Sequence, residues 1–303
     1  MIARHFKSGM KIHFTDFWDY SPEHSFYYKL LNKYFNAVLS DKEPDIVFFS
    51  VFGEDNKKFA GKHVLIIGEP NDLSQFQYDY CIGHQYELRG KDNCLRWNMF
   101  APRYPYLNVK RRGRFGLWDK SQLLERKFCN FIYSNAGFGK GAVLRQEFCR
   151  KLSEYKHVDC PGKVLNNMDP SCITPRQGAW VEGKLEFIRN YKFTIAFENE
   201  SIAGYTTEKL WQCFYANSIP IYWGNPAVSD EVNSGALINC HEYDCDFDAV
   251  IKRVEQIDND PDLYLHMLRR APLKRGYRYG YGDLKKFVYK IGREVLKEKE
   301  STH

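Results

Sequence analysis

A lysine in the first turn of a helix faces the positive end of the helix dipole, and Lys209 in this chain is so placed. The position is unfavourable by about 0.3–1 kcal/mol, so either the side chain is simply solvated or an anion lies in front of the helix. Its neighbour Glu208 suits the same dipole and needs no function. A second candidate is Gly137-Phe138-Gly139-Lys140-Gly141-Ala142, in which Gly137, Gly139 and Ala142 fit a G-x-G-x-x-A dinucleotide spacing. Asp159 follows at a distance suited to a ribose-binding acid, which leaves an NAD enzyme as an alternative. Three Asp-x-Asp triplets (244–246, 246–248 and 258–260) have the form of a metal–diphosphate motif. They crowd the starts of predicted helices, where Asp is a favoured cap, and read as structural.

The elements that position these residues follow from periodicity. Residues 193–226 read FTIAFENESIAGYTTEKLWQCFYANSIPIYWGNP. Residues 193–197 form a short buried strand, and a polar turn at 198–201 and Gly204 follow. Leu210, Trp211, Phe214 and Tyr215 recur at helical spacing within 206–216. Residues 219–223 form a second strand, closed by Gly224-Asn225-Pro226. This is a parallel strand-helix-strand crossover with its polar turn at the strand's carboxyl end, where open α/β sheets bind ligands.

FENESIAGYTTEKLWQCFYANSIPIYWG closely resembles the signature of the α-1,3/1,4-fucosyltransferases, inverting enzymes that use GDP-fucose. The family pattern has an aromatic-Glu-Asn strand end, a Gly-Tyr-x-Thr-Glu-Lys helix start, and a Pro-Ile-Tyr-Trp-Gly-like strand. The resemblance extends with varying strength over residues 11–272. It implies a GT-B arrangement, two Rossmann-like α/β domains facing each other across a cleft. GDP-fucose would be the donor, and an oligosaccharide or glycolipid-linked β-galactoside the acceptor. No cofactor would be required, and a divalent metal would be at most stimulatory. A glycan-binding relative without catalysis is the alternative of a different class.

Site residues follow from the same resemblance. The family has Ser-Asn at the strand end, here Ser134 and Asn135, and an Arg on the following helix that meets the donor diphosphate, here Arg145. Without the resemblance Arg145 would read as an exposed helix arginine. Arg145 and Lys209 would together answer the charge of the leaving GDP. Asn199, Tyr205 and Glu208 would hold the nucleotide or its sugar, Glu208 through ribose hydroxyls. Inversion needs a base opposite the leaving group. Glu69 is that candidate, in Gly68-Glu69-Pro70 after a buried strand, where the family shows Gly-Glu-Asn. The later Asp79-Tyr80-Cys81-Ile82-Gly83 also matches, whereas Pro70 departs from the pattern. For the acceptor, Asp16 and Asp19 could take hydrogen bonds from sugar hydroxyls, while Phe17 and Trp18 offer flat faces for a pyranose. The alternative for the two aromatic residues is packing beneath the following helix.

Composition is compatible with this reading. The 303 residues suffice for two domains, and 44% hydrophobic content is globular. Aromatics reach 16%, which suits flat stacking surfaces for sugars or bases. The net charge of +6 fits an anionic ligand, and the basic run at 274–299 suits a peripheral membrane contact. Nothing points to nucleic acid. Nine cysteines, with no C-x-x-C pair, suggest free thiols in a reducing compartment and no structural zinc. The first residues lack a signal-peptide core and no run approaches membrane-spanning length. A cytoplasmic bacterial relative, peripheral at the inner membrane face, is expected, or a catalytic domain cut from its anchor.

Strands are expected at 11–14, 45–51, 64–67 and 80–82, with a helix starting at Ser21-Pro22-Glu23. Helix is expected over 121–129, strand over 131–134, helix over 142–155, and mostly helix after 247. Residues 1–119 would form the acceptor-binding domain. Residues 120–303 would form the GDP-fucose-binding domain with C-terminal helices.

Overall fold

The computed structural model describes residues 9–101, 119–173, 180–277 and 280–301. Its strands are β1 (Lys11–Thr15), β2 (Val38–Leu39), β3 (Ile46–Phe49), β4 (Lys62–Ile67), β5 (Tyr80–Gly83), β6 (Cys94–Arg96), β7 (Lys127–Asn130), β8 (Val158–Asp159), β9 (Tyr191–Phe197), β10 (Ile219–Trp223) and β11 (Ile238–Asn239). The helices are α1 (Phe26–Phe35), α2 (Lys120–Leu124), α3 (Lys140–Tyr155), α4 (Trp180–Arg189), α5 (Glu208–Tyr215), α6 (Phe247–Asn259), α7 (Pro261–Arg269) and α8 (Tyr281–Ser301). Two compact units result: Met1–Trp97 with Tyr279–His303, and Asn98–Arg278.

The first unit holds a parallel sheet in the order β2-β1-β3-β4-β5-β6. Every residue of β3 is buried, as expected of a strand covered on both faces. Phe48 points to the face where it meets Phe14 at 4.8 Å and Tyr27 of α1 at 5.4 Å. Phe49 points the other way, into a cluster with Leu65, Ile67, Leu73, Cys81 and Leu88. Short 3-10 turns at Leu73–Gln75 and Tyr86–Leu88 supply part of that cluster.

The second unit holds a parallel sheet in the order β11-β10-β9-β7-β8. Phe193, Ile195 and Phe197 of β9 and Ile219, Ile221 and Trp223 of β10 join Phe148 and Leu152 of α3 and Val250 and Val254 of α6 in one core. α5 buries Leu210, Trp211 and Phe214 at helical spacing, with Thr207 as its N-cap.

Several expectations shift. The helix expected from residues 21–23 begins at Phe26: Pro22–His24 is a 3-10 turn, and extended Ser25 caps α1 by accepting a hydrogen bond from the Tyr28 amide at 3.0 Å. The helix expected over 121–129 ends at Leu124, and Phe128 and Cys129 lie in β7, because tertiary burial in the sheet outweighs a short helical pattern. The expected strand at 131–134 is instead irregular chain after β7.

The division also differs from a boundary at 119/120. The second unit begins at Asn98, and most of 98–119 lies outside the described residues. α8 returns to the first unit, where Tyr289 meets Phe35 at 5.2 Å and Tyr80 donates to Glu294 at 2.6 Å. Gly292 allows the close approach to α1, since a Cβ there would lie 2.5 Å from the Phe35 ring.

Candidate active site

In the second sheet β7 lies between β8, which follows it through α3, and β9, which starts the next crossover. The chain therefore leaves β7 and β9 in opposite directions, and the loops after them flank a topological switch point, the usual ligand crevice of such sheets. The loop after β7 carries Ser134 and Asn135, both exposed; the loop after β9 carries Glu198 and Asn199. The two loops are bonded together. The Gly141 amide donates to the Asn199 carbonyl at 2.9 Å, and the Lys140 amide donates to Glu200 at 2.8 Å. Gly139 has φ +80°, and a Cβ there would lie 2.3 Å from the Asn199 oxygen, so glycine is needed for this approach.

Glu198 is fully buried at the head of α5. Its Oε1 accepts from the Thr207 amide at 2.7 Å, and its Oε2 from the Thr207 hydroxyl at 2.6 Å and Lys209 Nζ at 3.3 Å. Lys209 Nζ also reaches Thr207 Oγ1 at 3.1 Å and lies 3.7 Å from Glu208. Burial opposes the charge on Lys209, but Glu208 and Glu198 more than offset it and hold the ammonium above its ordinary pKa. Burial pushes the Glu198 carboxyl up, with Lys209 opposing. At Glu208 burial is outweighed by Lys209 and Lys184, and the carboxyl falls below its usual range. Lys184 of α4 is buried, and that burial lowers it despite Glu208. Arg145, Lys184 and Lys209 thus stand with Glu198, Glu208 and Glu200 on or beside the two switch-point loops.

Arg145, expected to meet a diphosphate, is only 1% exposed. Its Nη1 donates to Asn199 Oδ1 at 3.1 Å and its Nη2 donates to the Asn135 carbonyl, so it spans both switch-point loops. The guanidinium lies 4.1 Å from the Tyr133 ring centroid, and among the described residues its buried Nε–H has no hydrogen-bond partner. Burial lowers its pKa, against the favourable fields of Tyr133, Glu198 and Tyr205. Tyr205 is itself buried. The structure therefore gathers Asn135, Arg145, Asn199, Glu208 and Lys209 around one pair of loops. Glu198, Lys184 and Tyr133 complete the group and were absent from the sequence-based set. The signal for Glu198 was Lys209 itself, a first-turn cation in want of an anion.

The dinucleotide alternative loses its acid. Asp159 accepts from the Tyr191 hydroxyl at 2.6 Å and Lys127 Nζ at 3.0 Å, and lies 3.1 Å from His157. Of the Asp triplets, Asp246 and Asp260 cap α6 and α7. Asp258 instead receives Lys156 at 2.8 Å and Lys192 at 3.1 Å. Among the described residues no three His, Cys, Asp or Glu side chains stand together as a metal site.

In the first sheet β1 has β2 on one side and β3 on the other, so its switch point lies between the loops after β1 and β3. Glu69 lies two residues beyond the carboxyl end of β4, half-buried, on that same edge. Asp16 is left-handed, with φ +60°. Its Oδ1 accepts from the Asp55 amide and its Oδ2 from the Asn56 amide, both at 2.9 Å, so the carboxylate clamps the β3 loop. Phe17 stacks on Tyr20 at 4.3 Å. Trp18 is 70% exposed, which rules out packing beneath α1.

A model described as "Glycosyltransferase family 10 (fucosyltransferase) C-term" matches residues 125–271, and "Alpha-(1,3)-fucosyltransferase FucT N-terminal domain" matches residues 12–103. The chain is 29% identical over 275 residues to an alpha-(1,3)-fucosyltransferase FucT of Helicobacter pylori, covering 79% of this chain and 54% of that protein. It thus spans about half the length of that curated relative. A solved alpha1,3-fucosyltransferase superposes with TM-score 0.73 at 25% identity, over 98% of this chain and 93% of the other. A solved form of such an enzyme with GDP-fucose gives 0.72 at 24% identity, over 98% and 94%. The fold is α/β and GT-B-like.

Proposed function

The chain belongs to glycosyltransferase family 10, the fucosyltransferases, and from that premise we propose that it moves fucose from GDP-fucose to a sugar hydroxyl with inversion. The acceptor is an N-acetylglucosamine or glucose unit of a β-galactoside such as N-acetyllactosamine, and the linkage α-1,3. The observation that carries this reading is the switch-point cluster of Arg145, Lys209, Glu198 and Asn199. It offers buried positive charge, already oriented by hydrogen bonds, where a nucleoside diphosphate is expected to lie.

In the proposed step the acceptor oxygen forms a bond to C1 of fucose while the bond from C1 to the diphosphate oxygen breaks. The hydroxyl proton passes to Glu69, and the electron pair leaves with GDP, whose charge Arg145 and Lys209 answer. Ser134, Asn135, Asn199, Tyr205 and Glu208 orient the nucleotide and its sugar. Asp16, Phe17 and Trp18 form the acceptor's entry, Asp16 by holding its loop. The scheme requires no divalent metal. The nine free cysteines, seven of them buried, suit a reducing compartment and a cytoplasmic site of action. No described helix is long and apolar enough to cross a membrane. Peripheral contact through α8 would draw on the lysines left over after Lys290 and Lys299 bond to Asp92 and Asp45.

The test is an NMR assay of the product from GDP-fucose and N-acetyllactosamine, with and without EDTA. An α-linked fucose on the glucosamine unit is expected in both. Absence of transfer, or loss in EDTA restored by metal, contradicts the proposal.

A further inference from the structure

In the first sheet Thr15, Phe49 and Leu65 stand in one row across β1, β3 and β4. Three residues further along each chain come Trp18, Phe52 and Gly68, and Glu69 follows Gly68. The Ser50 hydroxyl donates to the Ile66 carbonyl at 2.9 Å, which keeps those two chains side by side past the end of β3. Phe52 and the candidate base Glu69 therefore leave the same carboxyl edge on neighbouring strands, spaced by about 5 Å, and Trp18 leaves it one strand further on.

Trp18 is 70% exposed and Phe52 50%, and their rings meet edge to face at 5.9 Å, inclined at 61°. The loops beneath them are fixed. The Phe52 amide donates to the Asp16 carbonyl at 3.1 Å, and the Asp16 carboxylate accepts from the Asp55 and Asn56 amides. Gly53 sits so close that a Cβ would lie 2.4 Å from Asp16 Oδ1. Two rings already held against each other lose little freedom when a ligand covers them. Lys57 and Lys58 of the same loop pair with Glu54 at 2.8 Å and Asp55 at 2.6 Å, so these charges cancel. A fixed aromatic notch beside cancelled charge suits a neutral ring with an apolar C–H face, not a phosphate.

We propose that Phe52 and Trp18 form the subsite for the galactose unit next to the sugar being fucosylated, and that Phe52 sets the preference for galactose over glucose there. This rests on the fucosyltransferase reading. With the reacting hydroxyl at Glu69, the neighbouring sugar reaches the notch, which begins one strand away. In galactose the axial 4-hydroxyl leaves the hydrogens of C3, C4 and C5 on one face, a continuous apolar patch. In glucose the equatorial 4-hydroxyl turns the C4 hydrogen to the opposite face and breaks that patch. An aromatic face favours the first arrangement over the second.

The test compares N-acetyllactosamine with its analogue carrying glucose in place of galactose, on wild type, Phe52→Ala and Phe52→Tyr. Calorimetry in the presence of GDP reads affinity, and steady-state kinetics reads KM and kcat. Wild type is expected to bind the galactose compound about tenfold tighter than the glucose compound. Phe52→Ala should lose most of that preference, through KM more than kcat, while GDP affinity and melting temperature are retained. Phe52→Tyr keeps the ring and should keep the preference. No preference in wild type, a preference kept by Phe52→Ala, or equal weakening toward both compounds overturns the subsite. A galactose preference in binding without any transfer would leave the subsite standing and remove the proposed reaction. Transfer without the preference would do the reverse.

Discussion

Lys209 Nζ stands 3.3 Å from Glu198 Oε2 at the buried start of α5. The anion that explains a first-turn lysine is thus partly a side chain of the protein itself. Glu198 is 0% and Lys209 15% exposed at the side chain, so neither charge is left to water. Such a pair is costly to break from one side, because the remaining charge stays buried.

Lys209→Met should therefore destabilise the fold by about 3 kcal/mol. Adding Glu198→Gln should recover part of that loss, with a coupling of about 0.5–3 kcal/mol. Denaturant melts of the four proteins measure it. Additive losses would mean that the two charges stand independently.

Arg145→Lys keeps the charge but cannot span Asn199 Oδ1 and the Asn135 carbonyl at once. GDP affinity should fall about tenfold or more while guanosine affinity is retained. Equal weakening of both ligands would assign Arg145 to folding alone.

Asp258 is 2% exposed at its side chain. Burial raises its carboxyl, but the hydrogen bonds from Lys156 and Lys192 prevail and hold it below the usual range. A depressed folded pKa gives stability that is present above the unfolded value of about 3.9 and lost as pH falls through the folded one. Asp258→Asn should thus lower the melting temperature at pH 7, and the gap should narrow below about pH 4. A gap unchanged between pH 7 and pH 3 would contradict this.

Glu69→Gln should retain GDP-fucose affinity and lose transfer by about 10²–10⁴-fold, the range for loss of a general base. Near-normal turnover would remove Glu69 from the proposed step.

Much of this was legible in the sequence, and the exceptions have physical causes. The crossover from β9 to β10 was plain because apolar runs and helical spacing agree there. Glu198 was hidden because a charged residue after a strand reads as a polar turn; only the fold shows Thr207 and Lys209 closing over it. The fate of α8 was hidden because its basic face is obvious, while its apolar stripe of Leu284, Phe287, Val288 and Ile291 does not say which sheet it covers. Asp16 was legible as a polar loop residue but not as a clamp, since its partners Asp55 and Asn56 are about forty residues away. The metal-like spacing of 258–260 resolves into a helix cap at Asp260 and two lysine ion pairs at Asp258.

In the proposed reaction the switch point of the second sheet holds a guanosine diphosphate sugar. Calorimetric titration of the intact protein with GDP, GDP-fucose, guanosine and NAD tests it most directly. Tight binding of GDP and GDP-fucose, much weaker binding of guanosine, and no binding of NAD are expected. Binding of NAD, or guanosine binding as tightly as GDP, would contradict it.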